Sequence, residues 1–439
     1  MALMKAGREP LAELAAFLKP FSELIARAES RQSLERYATG LLADLPRKTA
    51  SGMGRSLPST GGQRLQSFLT RAAWDAKEMD RVRIEHMLRH ASVGGGVVVV
   101  DDTGFAKKGR HSVGVARQYS GTLGRVDNCQ VVVSVQYVDS RFDWPVNARV
   151  YLPESWTQDR ARCRKAKVPK TVRFQTKGQI ALDLIDEGRA AGLIPRAVVT
   201  DAGYGDQNPF LDGLESRGLA YGAAIGVAVR FRLAQAVDAD AGDPPVPTYS
   251  GKGRPRKASS LEQRVPSLEA KTILDGVPAK AWRRVTWREG TKGPMAKQFA
   301  RVRVYRSGHR GKHLGSSAWL IGERPLPGHG DERKQYLVWG LDELPLKQQA
   351  SLLHVRWVVE RYYQDAKGEL GLDDYEGRHW PGLHRHLALV QLSHCFLTLQ
   401  QQYRPAGRRA KPAPLARDFP PGGPPESGRT TAPSARTTV

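Results

Sequence analysis

The sequence predicts an α/β protein with a mixed sheet core, helices before it and a β-rich insertion within it. Three observations lead there. Val97-Val-Val-Val100 is a run of β-branched residues suited to a strand buried on both faces. Ala197-Val-Val-Thr200 is a second apolar strand, preceded by an amphipathic helical stretch, Gly178 to Ala191. Each of these strands runs straight into an aspartate, Asp101 or Asp201.

Pro10 to about Leu45 reads as helices, with Leu11, Leu14, Phe17 and Leu18 at helical spacing. Pro46 and the Gly- and Pro-containing run from Thr49 to Gly62 break the pattern and read as a loop. A second helical stretch covers Gln63 to His90. Residues 1–90 are therefore read as a helical region, either a DNA-end-binding module or a plain cap on the core. After the first strand, Asn128 to Tyr137 and Trp144 to Leu152 read as strands of an antiparallel meander. Pro153 to Thr176 is polar. A helix near Asn208 to Ser216 leads to a fifth strand, Leu219 to Ile225. The order β-β-β-α-β-α-β describes a mixed sheet, not a doubly wound one, and assigns 91–225 to the first part of the core.

Residues 226–335 change character. Asp238 to Pro247 reads as a loop, and Gly251-Lys-Gly-Arg254-Pro-Arg256-Lys257 is a short basic patch that could enter a minor groove or simply be solvated. Lys280 to Trp287, Lys297 to Tyr305 and Ser317 to Gly322 alternate as strands of a β-rich insertion. Tyr336 to Trp339 rejoins the core, whose second part, 336–403, consists mainly of helices Leu346 to Leu372 and His384 to Tyr403. The tail, 404–439, holds eight prolines, seven Arg or Lys and two acids, a composition that does not support a packed core.

The 439 residues carry 68 Lys and Arg against 44 Asp and Glu, a net charge of +24. So large an excess favours a polyanionic partner, most commonly nucleic acid. Cys129, Cys163 and Cys395 form no Cys-x-x-Cys pair, which argues against a disulfide framework or zinc site. No apolar signal core opens the chain and no window suits a membrane span. The expectation is a soluble, cytoplasmic, nucleoid-associated protein.

Charged side chains at a buried strand end are either paired, metal-bound or part of an acidic turn. The third acid is Glu360. Arg356, Glu360, Tyr363 and Lys367 are spaced +4, +3 and +4, so they share a helix face. That face reads either as surface ion pairs or as a metal-binding Glu flanked by phosphate-holding cations. Two strand-end Asp residues and this Glu together suit two Mg²⁺ ions, with Mn²⁺ as a substitute. Asp102 is a further candidate ligand. Lys107, Lys108 and Arg110 follow the acids, where a basic loop would contact phosphates. His384 and His386 are spaced i, i+2 and do not share a helix face, so no metal site is expected there.

The blocks Asp101-Asp-Thr-Gly-Phe-Ala-Lys-Lys-Gly109, His111 to Tyr119, Asp127-Asn-Cys-Gln130, Asp201-Ala-Gly-Tyr-Gly205 and Arg356-Trp-Val-Val-Glu360 through Arg378 form a specific combination, although no single block is specific by itself. With them, over roughly residues 10 to 400, the chain resembles a bacterial insertion-sequence DDE transposase of the insertion-sequence 701 family, in the wider insertion-sequence 4 group. The resemblance implies a ribonuclease H-like core and a catalytic triad of Asp101, Asp201 and Glu360, Asp101 being favoured over Asp102 by the Asp-x-Thr pattern. The candidates for DNA contact, read from their charge and position, are Lys107, Lys108, Arg110, Arg356, Lys367, Arg254 and Arg256. Of the group's signature Tyr-x2-Arg-x3-Glu-x6-Lys, Arg356, Glu360 and Lys367 are present, but Leu353 replaces the Tyr. The implied activity is metal-dependent cleavage at terminal inverted repeats and transfer of 3′-hydroxyl ends to target DNA, carried out by a homodimer. The alternatives are a ribonuclease H-like nuclease or resolvase that does not join ends, and an inactive DNA-binding relative.

Overall fold

In the computed structural model, residues 12–402 are described apart from 93–94, 123, 241, 243–260, 291–292 and 308–313. Arg254 and Arg256 lie outside the described residues. The structure is mixed α/β, and the strands join into one 12-stranded sheet. Its parallel centre is β1 (Gly96–Ala106), β5 (Pro195–Thr200) and β6 (Tyr221–Ile225). Beside β1 lies β3 (Arg125–Val138), antiparallel to it. On its far side β3 pairs with β2 (Ala116–Ser120) and, further along, with β4 (Asp143–Val150).

The meander expected after the first strand thus contains an extra strand, β2. Its residues Ala-Arg-Gln-Tyr-Ser mix charge with single apolar positions, and its side chains are alternately exposed, so hydrophobic patterning hid it. The first strand is also longer than its apolar run. It continues through both aspartates to Ala106, held by β3 alone beyond Val100. The polar stretch after β4 contains two short helices, α6 (Glu154–Gln158) and α7 (Arg160–Lys165).

On the other flank, β12 (Lys334–Trp339) pairs with β6. The sheet then continues through β11 (Leu314–Arg324), β10 (Gly293–Ser307), β7 (Arg230–Leu233) and β8 (Leu268–Glu269), with β9 (Arg283–Gly290) also on β10. The strands between 226 and 335 therefore extend the core sheet instead of forming a sheet of their own.

Helices cover both faces. Strand alternation sends Val98, Val100 and Val198 into one apolar cluster with Ile180 and Leu184 of α8 (Lys177–Ala190). It sends Val97, Val99, Ala197 and Val199 into a second cluster with Leu352 and Leu353 of α14 (Leu346–Leu353) and Val358 and Val359 of α15 (Trp357–Gly368). The expected single helix from Leu346 is broken by a 3₁₀ turn, His354–Arg356. Such a turn within a helix accommodates a local constraint. Here the constraint is His354, stacked on Trp287 of β9 at 4.0 Å and 3.0 Å from the buried Glu323 of β11.

Of the five N-terminal helices, α2 (Ala28–Leu42), α4 (Gly62–Thr70) and α5 (Ala76–Leu88) pack on α16 (Trp380–Gln402); α1 (Ala12–Ser22) rests on α2 and α5, and α3 (Ala50–Ser56), a helix within the stretch expected to be a loop, rests on α2 and α4. Polar bonds lock them there. Tyr37 is 2.8 Å from His386 Nδ1, whose other nitrogen faces the carbonyls of Gly371 and Leu372. The Arg83 guanidinium is wholly buried and donates to Val146 O and Gln391 Oε1. His386 is thus structural, the His384 ring lies 3.0 Å from the Trp380 carbonyl, and burial holds both well below the usual imidazole range, at about 4. No helix among the described residues is long and apolar enough to cross a membrane.

Candidate active site

The last pair in the parallel ladder between β1 and β5 is Val100 with Thr200. One residue further on stand Asp101, on the face of Val99, and Asp201, whose charge reaches Asp101. Thr200 Oγ1 donates to Val100 O at 3.3 Å across this last rung. β5 ends there. Asp201 begins α9 (Ala202–Gly205), and its carbonyl accepts the amide of Gly205 at 2.9 Å. The motif glycine at 205 has a packing reason: a Cβ there would overlap the carbonyl oxygen of Ala224 on β6. Gly104 has one too, since a Cβ there would overlap the Ser120 hydroxyl of β2.

Alternation separates the two neighbouring aspartates. Asp101 faces the 3₁₀ turn and α15. Asp102 faces α8, where Lys177 Nζ lies 3.0 and 3.1 Å from its oxygens and the Tyr204 hydroxyl 3.3 Å away. The start of α8, and hence Lys177, is fixed by a capping box between Thr176 and Gln179. Asp102 is therefore neutralised by an ion pair on the opposite face of β1 from Asp101, while its charge still reaches Asp201.

Arg356 links the two halves of the site. One guanidinium nitrogen donates to Asp101 Oδ2 at 2.8 Å and another to Glu360 Oε1 at 2.6 Å. Glu360 is the most exposed of the three acids, with 61% of its side chain accessible. Tyr363, one turn on, is half-buried and 2.7 Å from Ser134 Oγ on β3. Lys367 reaches Thr122 Oγ1 at 3.0 Å and the carbonyl of Gly104 at 3.3 Å. The face Arg356, Glu360, Tyr363 and Lys367 is thus turned toward β1 and β3 along its length. Leu353, in the place of the signature Tyr, is buried in the apolar cluster.

Two largely buried carboxylates near one another oppose each other's ionisation. Burial, and then the charge of Asp201, pushes Asp101 up to about 7 while Arg356 pulls it back. Asp201 is raised as well, by burial first. Its Oδ1 is buried and lacks a well-formed hydrogen bond among the described residues. An under-satisfied carboxylate oxygen beside a second carboxylate suits a hard divalent cation. Asp101 and Asp201 therefore fit such an ion. Glu360 approaches them only through Arg356, and among the described residues no three acid, His or Cys side chains converge closely enough to form a metal cluster.

The other expected contacts divide. Lys107 Nζ is committed to the carbonyls of Tyr375 and Asp373, at 2.9 and 3.4 Å. Lys108 and Arg110 are exposed. Trp357 is half-buried between the guanidinium groups of Arg288 and Arg361, at 4.1 and 5.0 Å from its ring. Sequence reasoning passed over Lys177, Ser134, Thr122 and the pair Glu323 and His354. Lys177 alone left a signal, the capping pattern Thr-x-x-Gln around it.

A family described as DDE superfamily endonuclease matches residues 20–294, more than half of the chain. The chain belongs to the DDE superfamily endonuclease family. It is 28% identical over 206 residues to the probable transposase for insertion sequence element IS701 of Microchaete diplosiphon, in agreement with the family read from its motifs. That match covers 47% of this chain, which spans about half (51%) of the relative's length. Among solved structures it is similar to a piggyBac transposase synaptic complex with hairpin DNA, at a TM-score of 0.37 and 12% identity, over 89% of this chain and 72% of that one.

Proposed function

We propose that the chain is the transposase of an insertion sequence, with a ribonuclease H-like core. It would bind the terminal inverted repeats of its element as a homodimer, cut the DNA there and join the 3′-hydroxyl ends to target DNA. The observation that carries this reading is the placement of Asp101 and Asp201 one step beyond the last rung of adjacent parallel strands. Family membership supports the cutting of nucleic acid.

Asp101 and Asp201 are the residues to hold a divalent cation, with Glu360 completing the set once its side chain leaves Arg356. Mg²⁺ or Mn²⁺ bound there would polarise the scissile phosphate and activate the attacking oxygen. Arg356, released from the carboxylates, is placed to hold a phosphate oxygen with its planar fork. Lys367 lies on the same face and can hold the next phosphate. The Tyr363 bond to Ser134 fixes α15 against β3 and so sets the distance between Glu360 and the aspartates. Asp102, held by Lys177, keeps that cation and the start of α8 in place without joining the reaction.

The test is incubation of the protein with a duplex carrying the DNA that flanks its coding sequence, together with a supercoiled target plasmid. Metal-dependent cuts at the repeat ends and joined products are expected. Cuts without joining would turn the reading to a nuclease, and binding without cuts in any divalent metal would turn it to an inactive DNA-binding relative.

A further inference from the structure

Residues 160–173 hold seven Arg or Lys in fourteen positions and no acid. Six of the seven, Arg160, Arg164, Lys165, Lys167, Lys170 and Arg173, are exposed. None of them is within ion-pair distance of a described carboxylate. Among the described residues elsewhere, some exposed cations are paired, as in Arg81 with Glu78 and Glu85 or Lys271 with Asp275, and others, such as Lys280, Arg283 and Arg284, are not, but those do not reach this density along the chain. A dense unpaired run repels itself, so its retention on an ordered segment calls for an external anion.

The segment is built into the fold. Asp159 caps α7 by accepting the amide of Arg162 at 2.8 Å. Arg162 lies 3.8 Å over the Trp156 ring and donates to the carbonyls of Arg110 and Val115, at 2.8 and 3.2 Å. Cys163 and Val168 are buried beneath. Arg162 thus anchors the segment and turns the other cations outward.

Those contacts also join it to neighbouring cations. Arg162 ties it to the loop with the exposed Lys108 and Arg110. The carbonyl of Ala166 accepts the amide of Trp380, bringing in the exposed Arg378. His379 lies within reach of both Lys167 and Arg378, whose charges add to burial in holding its imidazole below the usual range. Of the acids on that side, Asp374 and Glu376 are engaged by Arg47, and Asp159 is used to cap α7. The surface begins where β1 ends. Five residues separate Asp101 from Ala106, roughly 17 Å of extended chain, or about half a turn of duplex DNA.

Resting on the transposase reading, we propose that this surface is a track for the DNA backbone, holding duplex phosphates about half a turn or more away from the acids. It would bind without reading sequence, because it offers only exposed cations to phosphate oxygens.

The experiment measures the affinity of the full chain for a 30-base-pair duplex of mixed sequence as KCl is varied. The variant is Arg164→Gln/Lys165→Gln/Lys170→Gln, and the control, with equal charge removed from β9 and its approach, is Lys280→Gln/Arg283→Gln/Arg284→Gln. Every phosphate that the protein ceases to neutralise flattens the log–log salt slope by about 0.9. The patch variant is expected to flatten it by two to three, with thermal midpoint unchanged, while the control leaves it within one of wild type. A charge-keeping variant, Lys165→Arg/Lys170→Arg, is expected to retain the wild-type slope. An unchanged slope in the patch variant, or equal flattening in the control, would overturn this inference alone. Failure of the wild type to bind the duplex even at low salt would overturn the transposase reading itself.

Discussion

Glu323 is the place where the strands of residues 226–335 take hold of the active-site helix. Its side chain is fully buried. It accepts from Lys297 and from the Tyr336 hydroxyl at 2.8 Å, and lies 3.0 Å from His354, two residues before Arg356. These partners overcome the effect of burial and hold its carboxyl at about 2, against an ordinary 4.5. The lowered value means that the folded state favours the ionised form. The stabilisation is therefore complete above about pH 5 and lost as pH falls from 4.5 toward 2. A shift of this size corresponds to about 3 kcal/mol, in the range found on breaking buried charge networks. Glu323→Gln should remove it. For a chain of this length the thermal midpoint should fall by about 3–4 °C at pH 7, and by about half as much at pH 3, where half of the contribution remains. Scanning calorimetry of both proteins across that range measures it. A midpoint within 1 °C of wild type at pH 7, or a loss that does not shrink toward pH 3, would refute the reasoning.

The other predictions concern the site. Arg356→Ala removes the cation shared by Asp101 and Glu360. It should lower the midpoint in chelator and enlarge the upward shift on adding Mg²⁺; an equal Mg²⁺ shift in both proteins would contradict the role given to Arg356. For Asp101→Asn the sign is reversed. Asp101 is raised from 3.8 to about 7, so its ionisation weakens the fold progressively as pH rises from 4 to 7. The variant should therefore match wild type near pH 4 and exceed it at pH 8 in chelator by a few kcal/mol on an order-of-magnitude scale; a difference independent of pH would count against it. Gly205→Ala drives a Cβ into the carbonyl of Ala224 and should cost more than about 3 kcal/mol, seen as a fall in denaturation midpoint; a silent substitution would mean that α9 and β6 are not so closely packed.

The central strands were legible because Val97–Val100 and Ala197–Thr200 carry uninterrupted β-branched or small apolar residues, and the sheet buries both faces of them. Their register was not. That Asp101 and Asp201 stand level depends on a parallel pairing across about a hundred residues, which periodicity does not encode. Nor was the separation of Asp101 from Asp102: the apolar run ends at Val100, and only the longer strand and the packed helices show that the two aspartates face opposite sides and that Asp101 meets α15. The face Arg356, Glu360, Tyr363 and Lys367 followed from helical spacing and survived the 3₁₀ turn because that turn ends at Arg356. β2 went unread because exposure breaks its apolar pattern, and Glu323 because a lone Glu in an alternating strand looks like a solvent-facing residue. Only tertiary structure brings Lys297, Tyr336 and His354 around it.

The most direct test of the account is cleavage of the repeat-end duplex in Mg²⁺ by four single variants, Asp101→Asn, Asp201→Asn, Glu360→Gln and Asp102→Asn. The account predicts that the first three lose cutting by at least about 10³-fold while remaining folded and DNA-bound, and that Asp102→Asn, on the opposite face, retains cutting within about tenfold. Full activity in any of the first three, or loss in Asp102→Asn equal to theirs, would contradict it.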